Sequence, residues 1–142
     1  MRVNRILKYF VVSMAFLFSL GFVNVNADTL QNMIDGSNNV VLDQNYTEKV
    51  SVAKGKNVTI DLNGKTLTGA IEVKGTLVLK DSKSGGAVVA NTEKNASAIQ
   101  VEGGKFTLQS GTVKNGNGYG IYALEGGKVT VNSGVIDTLY AG

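Results

Sequence analysis

The stretch AIQVEGGKFTLQSGTV at residues 98–113 returns as IYALEGGKVTVNSGVI at residues 121–136, with Glu-Gly-Gly-Lys, a strand-like triplet and Ser-Gly in the same order. Taking Ile99-Gln100-Val101 as the opening triplet of a unit, the same slot holds Val50-Ser51-Val52, Ile71-Glu72-Val73 and Ile121-Tyr122-Ala123. The steps from residue 50 to 71, 99 and 121 are 21, 28 and 22 residues, a period that marks a solenoid whose units bury their apolar faces only by stacking. A second triplet follows each Gly turn: Val58-Thr59-Ile60, Leu77-Val78-Leu79, Phe106-Thr107-Leu108 and Val129-Thr130-Val131. Each is apolar at its ends with an outward-facing residue between them, the alternation of a half-buried strand.

A third short strand comes next, as Lys65-Thr66-Leu67, Ala87-Val88-Val89, Gly111-Thr112-Val113 and Gly134-Val135-Ile136. Three strands per turn predict an all-β parallel β-helix of about four coils. Asn63-Gly64, Gly85-Gly86 and Gly103-Gly104 supply the corners. The absence of proline suits strands paired on both sides. A gap-free match of Glu102 to Glu125 gives an offset of 23 and turns Tyr122 inward; a one-residue insertion near Leu124 keeps Ile121 and Ala123 inside, and is the register preferred here. Ile60, Leu79, Leu108 and Val131 are then expected to form one core ladder.

Ahead of the coils, Leu30, Met33 and Ile34 fall at i, i+3 and i+4, with Asp28 or Thr29 as N-cap and Gly36 as stop. So short a helix is marginal alone, and its expected role is a lid over the first coil. Asn39 to Leu42 reads as a partial lead-in strand. Before it, Arg2, Arg5 and Lys8 precede an apolar run from Tyr9 to Val23, and Val25-Asn26-Ala27 is a small-residue cleavage site. This is the pattern of a secretory signal peptide, and the run is shorter than the roughly 20 residues of a spanning helix. The expected organisation is a signal peptide over 1–27, an N-terminal cap over 28–49 and coils over 50–142. The segment Leu139-Tyr140-Ala141 resembles the start of a fifth coil, so a chain continuing past Gly142, or end-to-end association through an uncovered last coil, is expected.

The formal charge of +3 is carried by Arg2, Arg5 and Lys8, which leaves eleven lysines against eleven acidic residues after cleavage. A neutral domain offers no electrostatic footprint for nucleic acid, and no membrane span is expected once the signal is removed. With no cysteine, stability comes from repetitive packing without disulfides. The calcium-binding G-G-x-G-x-D nonapeptide and the leucine-rich L-x-x-L-x-L pattern are both missing. A β-sandwich is the structural alternative, since short strands with turn signals also suit it.

The stretch NVTIDLNGKTLTG at residues 57–69, followed by AIEVKGTLVLKDS and GIYALEGGKVTVNSG, resembles the pectate-lyase-like right-handed β-helix repeats of exported surface proteins of Gram-positive bacteria. The resemblance covers essentially the whole chain after residue 27. It implies the fold far more than an activity, because that architecture carries lyases, hydrolases, tail spikes and adhesins alike. Lyases of this kind typically use an arginine base, and the chain beyond residue 27 has neither arginine nor histidine.

Stacking places outward side chains in columns about 4.8 Å apart. One column runs Thr59, Val78, Thr107, Thr130 and another Asp61, Lys80, Gln109, Asn132. Neither assembles the two carboxylates of glycoside hydrolysis, and Asp61 with Lys80 reads as a surface ion pair. Glu102 and Glu125 are expected to stack as a solvated turn with Lys74 beside them. GNGYG, at residues 116–120, lacks the following helix of a phosphate-binding loop. Asn45, Asn57 and Asn95 head N-glycosylation sequons, irrelevant in a bacterial source. No catalytic residue, metal ligand or cofactor is therefore assigned. The binding candidates are Tyr122, outward in the column of Glu72 and Gln100, and Tyr140 in the same column one coil on, where tyrosines stack on sugars or protein surfaces. The expected function is a non-catalytic structural or adhesive module of an exported bacterial surface protein, with carbohydrate or a cell-surface protein as partner. The alternative is a fragment of a polysaccharide lyase or glycoside hydrolase whose catalytic coils lie elsewhere.

Overall fold

Alternation of apolar and polar residues over three to five positions, broken by Gly, Asn and Ser, leaves each segment long enough for one short strand and no more. The computed structural model describes residues 28–90 and 96–138. The signal-peptide assignment and Tyr140 lie outside these residues. Helix α1 (Leu30–Gly36) comes first, then β1 (Asn39–Val41) and β2 (Tyr46–Thr47). The first full coil is β3 (Val50–Val52), β4 (Asn57–Asp61) and β5 (Thr66–Thr68), and the second is β6 (Ile71–Val73), β7 (Thr76–Lys80) and β8 (Ala87–Ala90). The third is β9 (Ser97–Val101), β10 (Lys105–Leu108) and β11 (Thr112–Asn115), and the fourth is β12 (Tyr119–Ala123), β13 (Lys128–Val131) and β14 (Val135–Thr138).

These strands form three wholly parallel sheets that run the length of the stack. Sheet I is β3-β6-β9-β12, sheet II is β1-β4-β7-β10-β13 and sheet III is β2-β5-β8-β11-β14. The chain is thus a parallel β-solenoid of about four turns, not a sandwich. Val58, Leu77, Phe106 and Val129 occupy one column, and Ile60, Leu79, Leu108 and Val131 the next. Ile60, Leu79 and Leu108 have no solvent exposure, and burying each such side chain contributes about 1.5–3 kcal/mol.

The ladder stops one rung earlier than the repeat suggests. Val131 is 47% exposed and Val129, Val135 and Ile136 are exposed with it, because no described strand stacks beyond coil four. Burial at these positions comes from the neighbouring coil, so identical inward direction leaves them open at the end of the stack.

The insertion falls where the alternation requires it. Ile121 pairs with Ile99 and Ala123 with Val101, whereas Lys128 pairs with Lys105, so the extra residue lies between Ala123 and Lys128. The Leu124 amide donates to the Val101 carbonyl at 2.8 Å, as the Glu102 amide donates to Val73 at 2.9 Å. Leu124 therefore takes the rung of Glu102, and Glu125 is displaced towards the turn tip. This corrects the expected stacking of Glu102 on Glu125.

At the corner between sheets I and II, Gly75, Gly104 and Gly127 follow one another up the stack. A Cβ on Gly104 would lie 2.5 Å from the Gly75 carbonyl oxygen and 2.6 Å from that of Val73. The glycines are there because one coil's backbone lies directly against the next, not because of a left-handed φ.

The first coil is covered as expected, with more detail than a short apolar periodicity reveals. Thr29 caps α1 by accepting from the Asn32 amide at 3.2 Å, and Leu30 and Ile34 are buried against the coil. The helix runs through Gly36 and closes at Ser37. Glu48 accepts from the Leu30 and Gln31 amides at 2.8 and 3.3 Å, satisfying donors that a helix start leaves open. The Gln31 side-chain amide accepts from Ser51 N at 2.7 Å and donates to Ser51 O at 3.1 Å. One glutamine thus replaces the missing strand on the edge of β3, while β1 and β2 already belong to sheets II and III.

Candidate functional site

The outer face of sheet I carries an open trough among the described residues. Ser51, Glu72, Gln100 and Tyr122 stand in one outward column across β3, β6, β9 and β12. A trough of about 610 Å³ lies along this face, from Gln31 and Lys49 at the capped end to Tyr119 and Tyr122 at the other. That volume falls within the range of small-ligand clefts, roughly 300–1,000 Å³.

Tyr122 points outward as its alternation indicates and is 44% exposed. Beside it is a residue that the sequence reading overlooked. Tyr119 stacks on Tyr122 with ring centroids 5.3 Å apart and planes at 24°, a preferred offset geometry for aromatic pairs. Strict period-2 counting sends residues three apart to opposite faces. Here a Cβ on Gly120 would meet the Ile136 and Thr138 methyls at 2.7 Å, so Gly120 faces inward. Ile121 packs against the core as well. Two consecutive inward residues make a corner, and the residues flanking them share the outer face.

Asn115 holds that corner. It is 1% exposed, and its Nδ2 donates to the Ala96 and Tyr119 carbonyls at 2.7 and 2.9 Å. Its Oδ1 accepts from the Asn117 amide at 3.0 Å. The available signal was a small residue before isoleucine in Ala98-Ile99 and Gly120-Ile121, with Asn115 ending the strand before the second of these.

Beneath the tyrosines the floor is polar. Lys74 Nζ lies 3.1 Å from Glu72 and 3.8 Å from Glu102. The hydrogen bond that Lys74 donates to Glu72, followed by the charges of Glu72 and Glu102, raises the pKa of Lys74 above its ordinary value. Ser51 Oγ donates to Glu72 Oε2 at 3.4 Å.

Asp61 is not the surface residue its column position suggests. It is 6% exposed, with Lys80 Nζ at 3.5 Å and Oδ1 accepting from the Asn63 and Ser82 amides at 2.9 and 3.0 Å. Asp81 acts similarly, accepting from Gly64 and Gly86, both at 2.7 Å. Both carboxylates stitch corners between coils. Burial pushes the Asp61 pKa up, but the Ser82 and Asn63 hydrogen bonds and the Lys80 charge outweigh it and leave it below the ordinary 3.8.

An acid depressed in the folded state stabilises the fold fully above its unfolded pKa and loses that contribution as pH falls through the folded value. Asp61→Asn is therefore expected to flatten the fall in stability below about pH 4, as read from urea midpoints by circular dichroism. An unchanged acid limb would show that Asp61 is not the linked group.

Among the described residues no three His, Cys, Asp or Glu side chains converge as a metal site. No described helix is long and apolar enough to cross a membrane. No family model matches the chain, and neither a curated protein nor a solved structure matches it.

Proposed function

We propose that the chain is a rigid, non-catalytic module of an exported bacterial cell-surface protein that presents the outer face of sheet I. The observation that carries this reading is how the carboxylates along the stack are used. Glu48 caps α1, Asp61 and Asp81 hold corner amides, and Glu72 shares a lysine with Glu102. Each serves the architecture, and general acid–base catalysis instead needs a group poised to exchange a proton with substrate. Export is supported by the basic, apolar and small-residue segments of residues 1–27.

Two measurements test the reading together. Secreted protein is expected to begin at Asp28 by intact mass and to release no reducing ends or unsaturated products from cell-wall and pectic polysaccharides. Retention of Met1 in secreted material would refute the processing. Sustained turnover that disappears in Glu72→Gln would favour the alternative, a fragment of a carbohydrate-active enzyme.

A further inference from the structure

The trough on sheet I has a chemistry that the module reading leaves open. Among the described residues its lining carries one lysine, Lys49, and one carboxylate, Glu72, whose formal charges balance. At the open end the Tyr119–Tyr122 stack offers an aromatic surface, both rings being about two-fifths exposed. Between that surface and Glu72 stands Gln100, half-buried and outward, whose side-chain amide has no hydrogen-bond partner among the described residues. An aromatic face beside an amide that both donates and accepts complements a pyranose, with its apolar C–H face and a rim of hydroxyls. The rung spacing adds a length: three steps of about 4.8 Å from Ser51 to Tyr122 span roughly 14 Å, close to three pyranose units in an extended chain.

We propose that this trough is a saccharide-binding site for a neutral glycan lying along the solenoid axis, with one sugar stacked on the Tyr119–Tyr122 pair and Gln100 bonding to the next. Lys49 and Lys74 offset Glu72 and Glu102 at and beside the described lining, so a uronate gains no net attraction there. A neutral chain needs none and exchanges hydrogen bonds with Ser51, Glu72 and Gln100. Asn115 acts through Tyr119 as a positioning residue, because it fixes the Tyr119 carbonyl and hence the corner on which the aromatic pair is built. The assignment rests on the module reading and adds its ligand class.

Cellotriose, chitotriose, mannotriose and xylotriose, with trigalacturonate as the anionic control, are titrated against the secreted chain by calorimetry, with NMR on the Gln100 side-chain amide. At least one neutral trisaccharide is expected to saturate and to shift the Gln100 resonance. Tyr122→Ala and Gln100→Ala are expected to weaken binding about tenfold or more, a loss of about 1.4 kcal/mol. Thr130→Ala, on sheet II and outside the trough, is expected to bind as the parent does. Circular dichroism of each variant confirms that the comparison is between folded proteins. The assignment is overturned if none of the four neutral sugars binds, if Tyr122→Ala binds as tightly as the parent, or if trigalacturonate binds as well as the best neutral sugar. Reducing ends are measured in the same samples. Their release would sink the non-catalytic reading whatever the binding result, whereas absence of saturation sinks the trough assignment alone.

Discussion

Leu79→Asp is expected to leave no cooperatively folded protein, whereas Val131→Asp, on the same inward column, is expected to change stability by less than about 1 kcal/mol. Leu79 is fully buried, with Ile60 on the rung before it and Leu108 on the rung after. Removing a buried leucine side chain alone costs about 2–5 kcal/mol. An unpaired carboxylate in its place adds a desolvation cost of several more, against a total stability of about 5–15 kcal/mol for a typical domain. Val131 faces the same way but is 47% exposed, so a carboxylate there keeps much of its hydration. Urea unfolding followed by circular dichroism separates the cases. Equal destabilisation of the two would mean that coil four is covered, or that the inward register is wrong.

The second large effect is expected at a residue that fills no space. Gly104→Ala should lose about 3 kcal/mol, because the three nearest atoms to the new Cβ, from 2.5 to 3.0 Å away, all belong to the backbone of the preceding coil. A side chain in the way can rotate; a carbonyl that accepts an inter-coil hydrogen bond cannot. The Gly75 oxygen accepts from the Lys105 amide at 2.8 Å, so relieving the clash strains the ladder itself. Gly36→Ala is the control, since nothing lies within 4 Å of a Cβ at the end of α1. There alanine is expected to stabilise by up to about 1 kcal/mol through helix propensity and a less flexible unfolded chain. Melting curves of the two variants should move in opposite directions, and a neutral Gly104→Ala would show that the coils have more room between them than the backbone positions allow.

Much of this architecture was legible because a solenoid repeats its physics along the chain. Val58-Thr59-Ile60 and Phe106-Thr107-Leu108 announce the same strand twice, and the preference for Ile121 and Ala123 as inward residues selects the register observed in β12. The candidate site was only half legible. Tyr122 follows from alternation, but Tyr119 needed the Gly120–Ile121 corner, where the period of two fails. Asp61 was misplaced for a related reason: its position on the strand points outward, yet the turn that follows folds back and gives its carboxylate the amides of Asn63 and Ser82. Strand periodicity describes direction relative to a sheet and does not register what a neighbouring corner lays over it.

By itself the amino-acid sequence determined the coil period, the three strands of each unit, the inward apolar columns and the helical lid, because all of these follow from local alternation, turn residues and the need to bury apolar area. The tertiary structure alone decided how far burial extends, which carboxylates are structural and where two tyrosines meet. Those properties depend on what the next coil places against a residue. Leu108 and Val131 point the same way and carry similar side chains; they differ because a fully stacked coil lies over one and none is described over the other.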